Sequence, residues 1–82
     1  MTYFVYMLKC LTCKRKLTYI GYTKDLYKRI NLHNSNKGAK FTKGNNWKLI
    51  YSRKFTSKSK AMSYEYQLKN DRVKRLYIYK KF

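Results

Sequence analysis

Only three acids, Asp25, Glu65 and Asp71, stand against 21 lysines and arginines in this 82-residue chain, and that imbalance constrains its fold more than any other feature. At a formal charge of +18 the chain repels itself when compact, and ion pairing can relieve little of it. A chain of this size buries roughly 60% of its unfolded surface, so its core must be efficient. The ten tyrosines, four phenylalanines and single tryptophan are the available remedy. Large rings pack well, and a tyrosine keeps a polar tip for hydrogen bonding.

The same charge points to a polyanionic partner. Basic residues run through the whole chain and alternate with aromatics, which favours nucleic acid. A membrane surface fits less well, because no long amphipathic basic helix is present and no run approaches the ~18 apolar residues of a span. A lysine-rich composition can also reflect an AT-rich genome. "MTYFVYMLKC" lacks the positive n-region and cleavage site of a signal peptide and reads as a strand from its third residue. The expectation is an intracellular chain, cytoplasmic or nucleoid-associated, with a viral or phage source also open.

"TYFVYML" and "LTYIGYT" are β-rich runs separated by the polar "CLTCKRK", which suggests an antiparallel hairpin. Gly21 at the exit of the second run marks a place where backbone or ligand comes close. "TKDLYKRINLHNSNKG" reads as a helix capped by Thr23 or Asp25, with Leu26, Ile30 and His33 on its inner face and Arg29 bordering it. "GAKFTKGNN" is a basic loop. "WKLIYSRKF" alternates as a third strand, with Trp47, Leu49 and Tyr51 on one side and Lys48, Ile50 and Ser52 on the other. "TSKSKAMSYEYQLKN" is a second helix, capped by Ser57 or Ser59. "DRVKRLYIYKKF" either extends that helix or adds an edge strand. The order β-β-α-β-α predicts an α+β fold: a small three-stranded antiparallel sheet flanked by helices, in one domain over 1–82.

Cys10 and Cys13 form a lone C-x-x-C between two strands, with His33 the only other soft or imidazole candidate. A structural zinc site needs four ligands, so two reduced cysteines near a hairpin loop are expected; a metal bridging a dimer and a labile disulfide are the alternatives.

Glu65 is the chain's one glutamate, and with Ala61, Tyr64 and Leu68 it shares a helix face. A buried unpaired carboxylate is costly, so it needs a partner, either one of the many lysines or a cation. Tyr6 and Tyr19, taken alone, read as core or sheet-face tyrosines, His33 as a packing histidine, and Arg29 as a solvated helix residue.

Together these positions resemble a known family. "FVY" at Phe4–Tyr6 and "YIG" at Tyr19–Gly21 look like the paired signature of GIY-YIG nucleases. Arg29 and His33 fall where that family keeps an arginine and a histidine or tyrosine on its first helix, and Glu65 matches its metal-binding glutamate. "GAKFTKG" and "AMSYEYQLK" resemble small stand-alone bacterial members, and the likeness is strongest over 3–70. It implies a metal-dependent endonuclease that hydrolyses DNA phosphodiesters with low sequence specificity. Tyr6, Tyr19, Arg29, His33 and Glu65 would form the site, and Glu65 would hold Mg²⁺ or Mn²⁺. In that reading Tyr19 is a general base or water-positioning group, and His33 contacts phosphate or transfers a proton. Lys24, Lys28, Lys37, Lys40, Lys43 and Arg53 are the candidate DNA contacts, with RNA an open second substrate, and the protein would be a monomer or weak dimer.

Three features depart from the family pattern. Phe4 replaces glycine, Tyr22 stands where some members have lysine, and Asn70 lies too near Glu65 to be the late asparagine of others. The alternatives are a non-catalytic basic nucleic-acid-binding module on the same fold and a basic protein of a ribonucleoprotein. Roles in repair, recombination, RNA turnover or a mobile element are all compatible.

Overall fold

A computed structural model describes residues 1–81; Phe82, the last residue of the expected domain, lies outside the described residues. The elements are β1 (Tyr3–Cys10), β2 (Thr18–Thr23), α1 (Leu26–Asn34), a 3₁₀ turn (Lys40–Thr42), β3 (Trp47–Phe55), α2 (Lys58–Asn70) and α3 (Arg72–Lys81). The strands form an antiparallel sheet in the order β2-β1-β3, so the fold is the expected α+β arrangement.

No residue of the central strand β1 is exposed, as a strand covered on both faces requires. One face carries Tyr3, Val5 and Met7 against Ile20 and Ile50, and it is covered by Ala61, Leu68 and Ile78 of α2 and α3. The other carries Tyr6, Leu8 and Cys10 against Leu26 of α1 and Trp47, with Tyr19 and Ile30 alongside. Helices on both faces let so small a chain bury both sides of its sheet.

Short polar side chains set the helix starts. Asp25 accepts from Lys28 N–H at 3.1 Å to cap α1, and Ser57 accepts from Lys60 N–H at 3.4 Å to cap α2. The last segment is neither an edge strand nor a continuation of α2. Asp71 breaks the helix and caps a new one, accepting from Lys74 N–H at 3.0 Å. Lys74 then donates to the Tyr64 hydroxyl at 2.8 Å, and Tyr64 lies 2.6 Å from the Tyr51 hydroxyl, which ties α3, α2 and β3 together.

Two expectations need correction. The pairing passes from Met7↔Tyr51 to Leu8↔Leu49, so Ile50 is an extra residue in β3. This bulge interrupts the alternation: Trp47 and Leu49 pack with Tyr6, whereas Ile50 and Tyr51 both pack on the opposite face. The second correction concerns Cys10 and Cys13, which are joined in a disulfide and are not two reduced thiols. β1 runs on to Cys10, and the turn that follows brings the two Cα atoms to 5.7 Å, inside the range a disulfide spans. No helix among the described residues is long and apolar enough to cross a membrane.

Candidate active site

The hydroxyl end of Tyr6 is the centre of a cluster assembled from β1, β2, α1 and the loop before β3. Tyr6 is 1% exposed and His33 is 0% exposed, so every polar atom they carry needs a partner. Tyr6 Oη lies 2.9 Å from His33 Nε2, and His33 Nδ1 lies 2.8 Å from the Thr42 hydroxyl. Thr42 donates its one hydroxyl proton to the Ala39 carbonyl at 2.8 Å. The hydroxyl must therefore accept from Nδ1–H, which leaves Nε2 bare to accept the Tyr6 proton. The chain of donation runs Tyr6, His33, Thr42, Ala39.

This polarity keeps Tyr6 protonated and His33 neutral. Burial pushes the Tyr6 phenol up to about 12, against the opposing pull of the Arg29 guanidinium. Burial also holds the His33 imidazole below its ordinary value, with the Arg29 charge acting in the same direction. The Arg29 guanidinium acts on both the Tyr6 and Tyr19 phenols and is itself pushed further up, first by its interaction with Tyr6. A permanently charged planar fork thus sits near both phenols, and such a fork suits phosphate oxygens.

The single histidine of the chain gives this arrangement a pH signature. The unfolded chain takes up a proton near pH ~6.5, before the folded one does. Stability is then full above that pH and falls below it, by at most ~1.4 kcal/mol per pH unit. Urea unfolding between about pH 7.5 and 5.5 is expected to show the loss in the parent and not in His33→Gln. The same slope in both would mean that His33 is not held neutral.

Close backbone approach makes room for the cluster. A Cβ on Gly21 would sit 2.6 Å from Tyr6 Oη and 3.3 Å from Tyr19 Cε2, so it is the Tyr6 hydroxyl that needs the space glycine leaves. Gly38 is pressed onto His33 in the same way, where a Cβ would meet the His33 Cα and Cγ at 2.9 Å each. The Tyr19 ring packs 4.8 Å from the His33 ring, and Phe41 stacks outside Tyr19 at 6.2 Å.

Glu65 comes from the other side of the sheet. α2 covers the opposite face, yet Glu65 is near enough for its charge to act on the Tyr6 phenol. Its carboxylate pairs with Lys69, one helical turn on, at 3.2 Å, and the side chains are 18% and 52% exposed. A pair this open is worth only ~0.3–0.5 kcal/mol, and Lys69 is free to swing away. No group of three His, Cys, Asp or Glu capable of gripping a metal occurs among the described residues. The one carboxylate here, Glu65, would suit a hard cation that keeps most of its waters and not zinc.

Of the candidate contact residues, Lys24, Lys28, Lys37, Lys40 and Lys43 are exposed, the last two flanking Thr42 in the loop. Arg53 is exposed too but lies apart from them. It pairs with Val5 in the sheet and lies over the Tyr64 ring at 4.8 Å, on the face opposite Tyr6. His33, with no exposed surface and both nitrogens engaged, offers no atom to a phosphate. Sequence reading missed Thr42, whose place follows from the fold: Asn34 brackets the Trp47 backbone at 2.7 and 3.1 Å, and Trp47 Nε1 donates to the Thr42 carbonyl at 3.0 Å. Its only sequence signal was a small polar residue between the two glycines of a basic loop.

The GIY-YIG catalytic domain matches residues 2–78. The chain belongs to the GIY-YIG family. That family is of nuclease type. This GIY-YIG domain is similar to UPF0213 protein YazA of Bacillus subtilis, 43% identical over 96% of this chain and 80% of that protein. It is also similar to UPF0213 protein BH0048 of Halalkalibacterium halodurans, 42% identical over 85% of this chain and 72% of that protein. The solution NMR structure of BH0048 superposes with a TM-score of 0.55 at 40% identity, over 95% of this chain and 82% of that one.

Proposed function

We propose that this GIY-YIG domain, taken as one catalytic unit over 1–82, is a divalent-metal-dependent endonuclease that hydrolyses DNA phosphodiester bonds with little sequence specificity. The observation that carries the reading is the convergence of Arg29 on both Tyr6 and Tyr19, beside the acidic Glu65, in a chain of this family. Phosphodiester hydrolysis needs an activated water and a charge sink for the developing oxyanions. Arg29 would hold the scissile phosphate by its non-bridging oxygens. Tyr19, the more open of the two phenols, would position or deprotonate the attacking water. Tyr6, kept protonated, would orient Arg29 through its oxygen and be oriented in turn by His33. Glu65 would hold Mg²⁺ or Mn²⁺ once Lys69 releases it. When bound, the cation would supply Lewis-acid stabilisation of the phosphoryl oxygens. The charge of +18 supports a largely electrostatic, salt-sensitive affinity for DNA.

The Glu65–Lys69 pair favours a second reading, in which the carboxylate is already partnered and the fold serves as a basic nucleic-acid-binding module without chemistry. Supercoiled plasmid in Mg²⁺ or Mn²⁺ separates the two. Glu65→Ala and Tyr19→Phe are each expected to lose about 10²–10³-fold in nicking rate while DNA binding persists. Equal cleavage by the parent and Glu65→Ala would overturn the catalytic reading, and binding by the parent without any cutting would support the module.

A further inference from the structure

From Tyr19 the surface continues as two joined clefts that lead away from the cluster around Tyr6. The first, of ≈ 240 Å³, adjoins the site and is lined by Tyr19, Phe41, Lys69 and Arg75. The second, also ≈ 240 Å³, is lined by Lys16, Arg72, Arg75 and Tyr79 over a floor that includes Met7 and Leu76. Thr18 and Arg75 border both, so the two form one groove over the β2 edge of the sheet.

The chemistry of this groove is uniform. Its cations come from three places: Lys16 from the β1–β2 loop, Lys69 from α2, and Arg72 and Arg75 from α3. No carboxylate is among the described residues that line it. On α3, Arg72, Arg75, Leu76 and Tyr79 stand at offsets of three, four and seven, so one helix face presents two guanidinium groups beside an apolar strip. Leu76 on that strip is 45% exposed. Arg75 Nε, where the two clefts meet, is buried and has no hydrogen-bond partner among the described residues. A buried donor without a partner is rare in a finished structure, and a water, an ion or an acceptor that arrives from outside can satisfy it. Phosphate oxygens are such acceptors, and sugars and bases suit the apolar strip between the charges.

We propose that the DNA strand continuing from the scissile phosphate leaves the site along this groove, with Arg75 nearest the site and Arg72 and Lys16 beyond it contacting its backbone phosphates. The inference rests on the nuclease function proposed for the Tyr6 site. It assigns the groove to the substrate's own strand on one side of the cut.

The test uses the full chain carrying Glu65→Ala, so that chemistry does not interfere, and a fluorescein-labelled DNA duplex titrated from about 50 to 200 mM salt. Adding Lys16→Ala and Arg72→Ala, both at exposed positions, is expected to reduce the slope of log K against log salt by roughly 2, about 1 for each phosphate no longer neutralised. Lys58→Ala with Lys60→Ala removes the same charge from exposed positions at the start of α2 and is expected to leave the slope near that of the parent. Equal changes in the two double variants, or no change in either, would overturn the proposal. Failure of the parent itself to bind DNA would instead overturn the nuclease function on which it rests. Thermal unfolding of both double variants, expected to match the parent, excludes a loss of fold as the cause.

Discussion

Arg29→Ala is expected to lower single-turnover plasmid nicking by about 10²–10³-fold, the loss typical of removing one preorganised donor from a developing oxyanion. The effect is larger than a surface arginine would give because Arg29 serves two purposes at once. Its guanidinium acts on both the Tyr6 and Tyr19 phenols, and in the proposed mechanism it also holds the scissile phosphate. Arg29→Lys should recover little of the loss, since an ammonium is a point charge and cannot span two phenols while keeping N–H groups for phosphate. Stability should be almost unaffected, because Arg29 is a partly exposed helix residue. Nicking by Arg29→Lys within about tenfold of the parent would show that charge alone is used there, and an active Arg29→Ala would remove the residue from the mechanism.

Gly38→Ala is expected to be the most damaging single methyl in the protein. The added Cβ would come within 2.9 Å of the His33 Cα, a backbone atom that cannot rotate away. Overpacking of this kind costs about 1–3 kcal/mol. In a domain of this size a cost of about 2 kcal/mol lowers the melting temperature by roughly 8–16 °C. Activity should fall further than stability explains, because a displaced His33 releases Tyr6, and Tyr6 carries Arg29. Gly44→Ala is the matching control. Gly44 has φ of +86° and open space at its Cβ, so alanine there is strained but touches nothing in the site. It should lower stability by about 1 kcal/mol and leave nicking at a permissive temperature unchanged. Equal activity losses in the two variants, measured below both melting temperatures, would refute the role given to the packing of Gly38 on His33.

These two residues differ in how visible they are along the chain. Arg29 and His33 share a helix edge four residues apart, and periodicity alone places them there. Gly38 and Thr42 lie in "GAKFTKG", where no period operates. They reach His33 only because Asn34 and Trp47 pin the two ends of the loop.

Residue types and their spacing were enough for the three strands, the first two helices and the chemistry available to them. Aromatic and β-branched runs made the three strands, Asp25 and Ser57 started the first two helices, and the lone glutamate in a chain of +18 stood out as the candidate to hold a cation. Local propensity and side-chain spacing act within a few residues, so they can be read directly. Only the tertiary structure decided the bulge at Ile50, the disulfide between Cys10 and Cys13, and the separate helix after Asp71. His33 was expected on the inner face of α1, but only the tertiary structure made it the buried acceptor for Tyr6. Burial removes water as a partner, so a polar side chain then takes its role from whichever atoms the fold sets beside it.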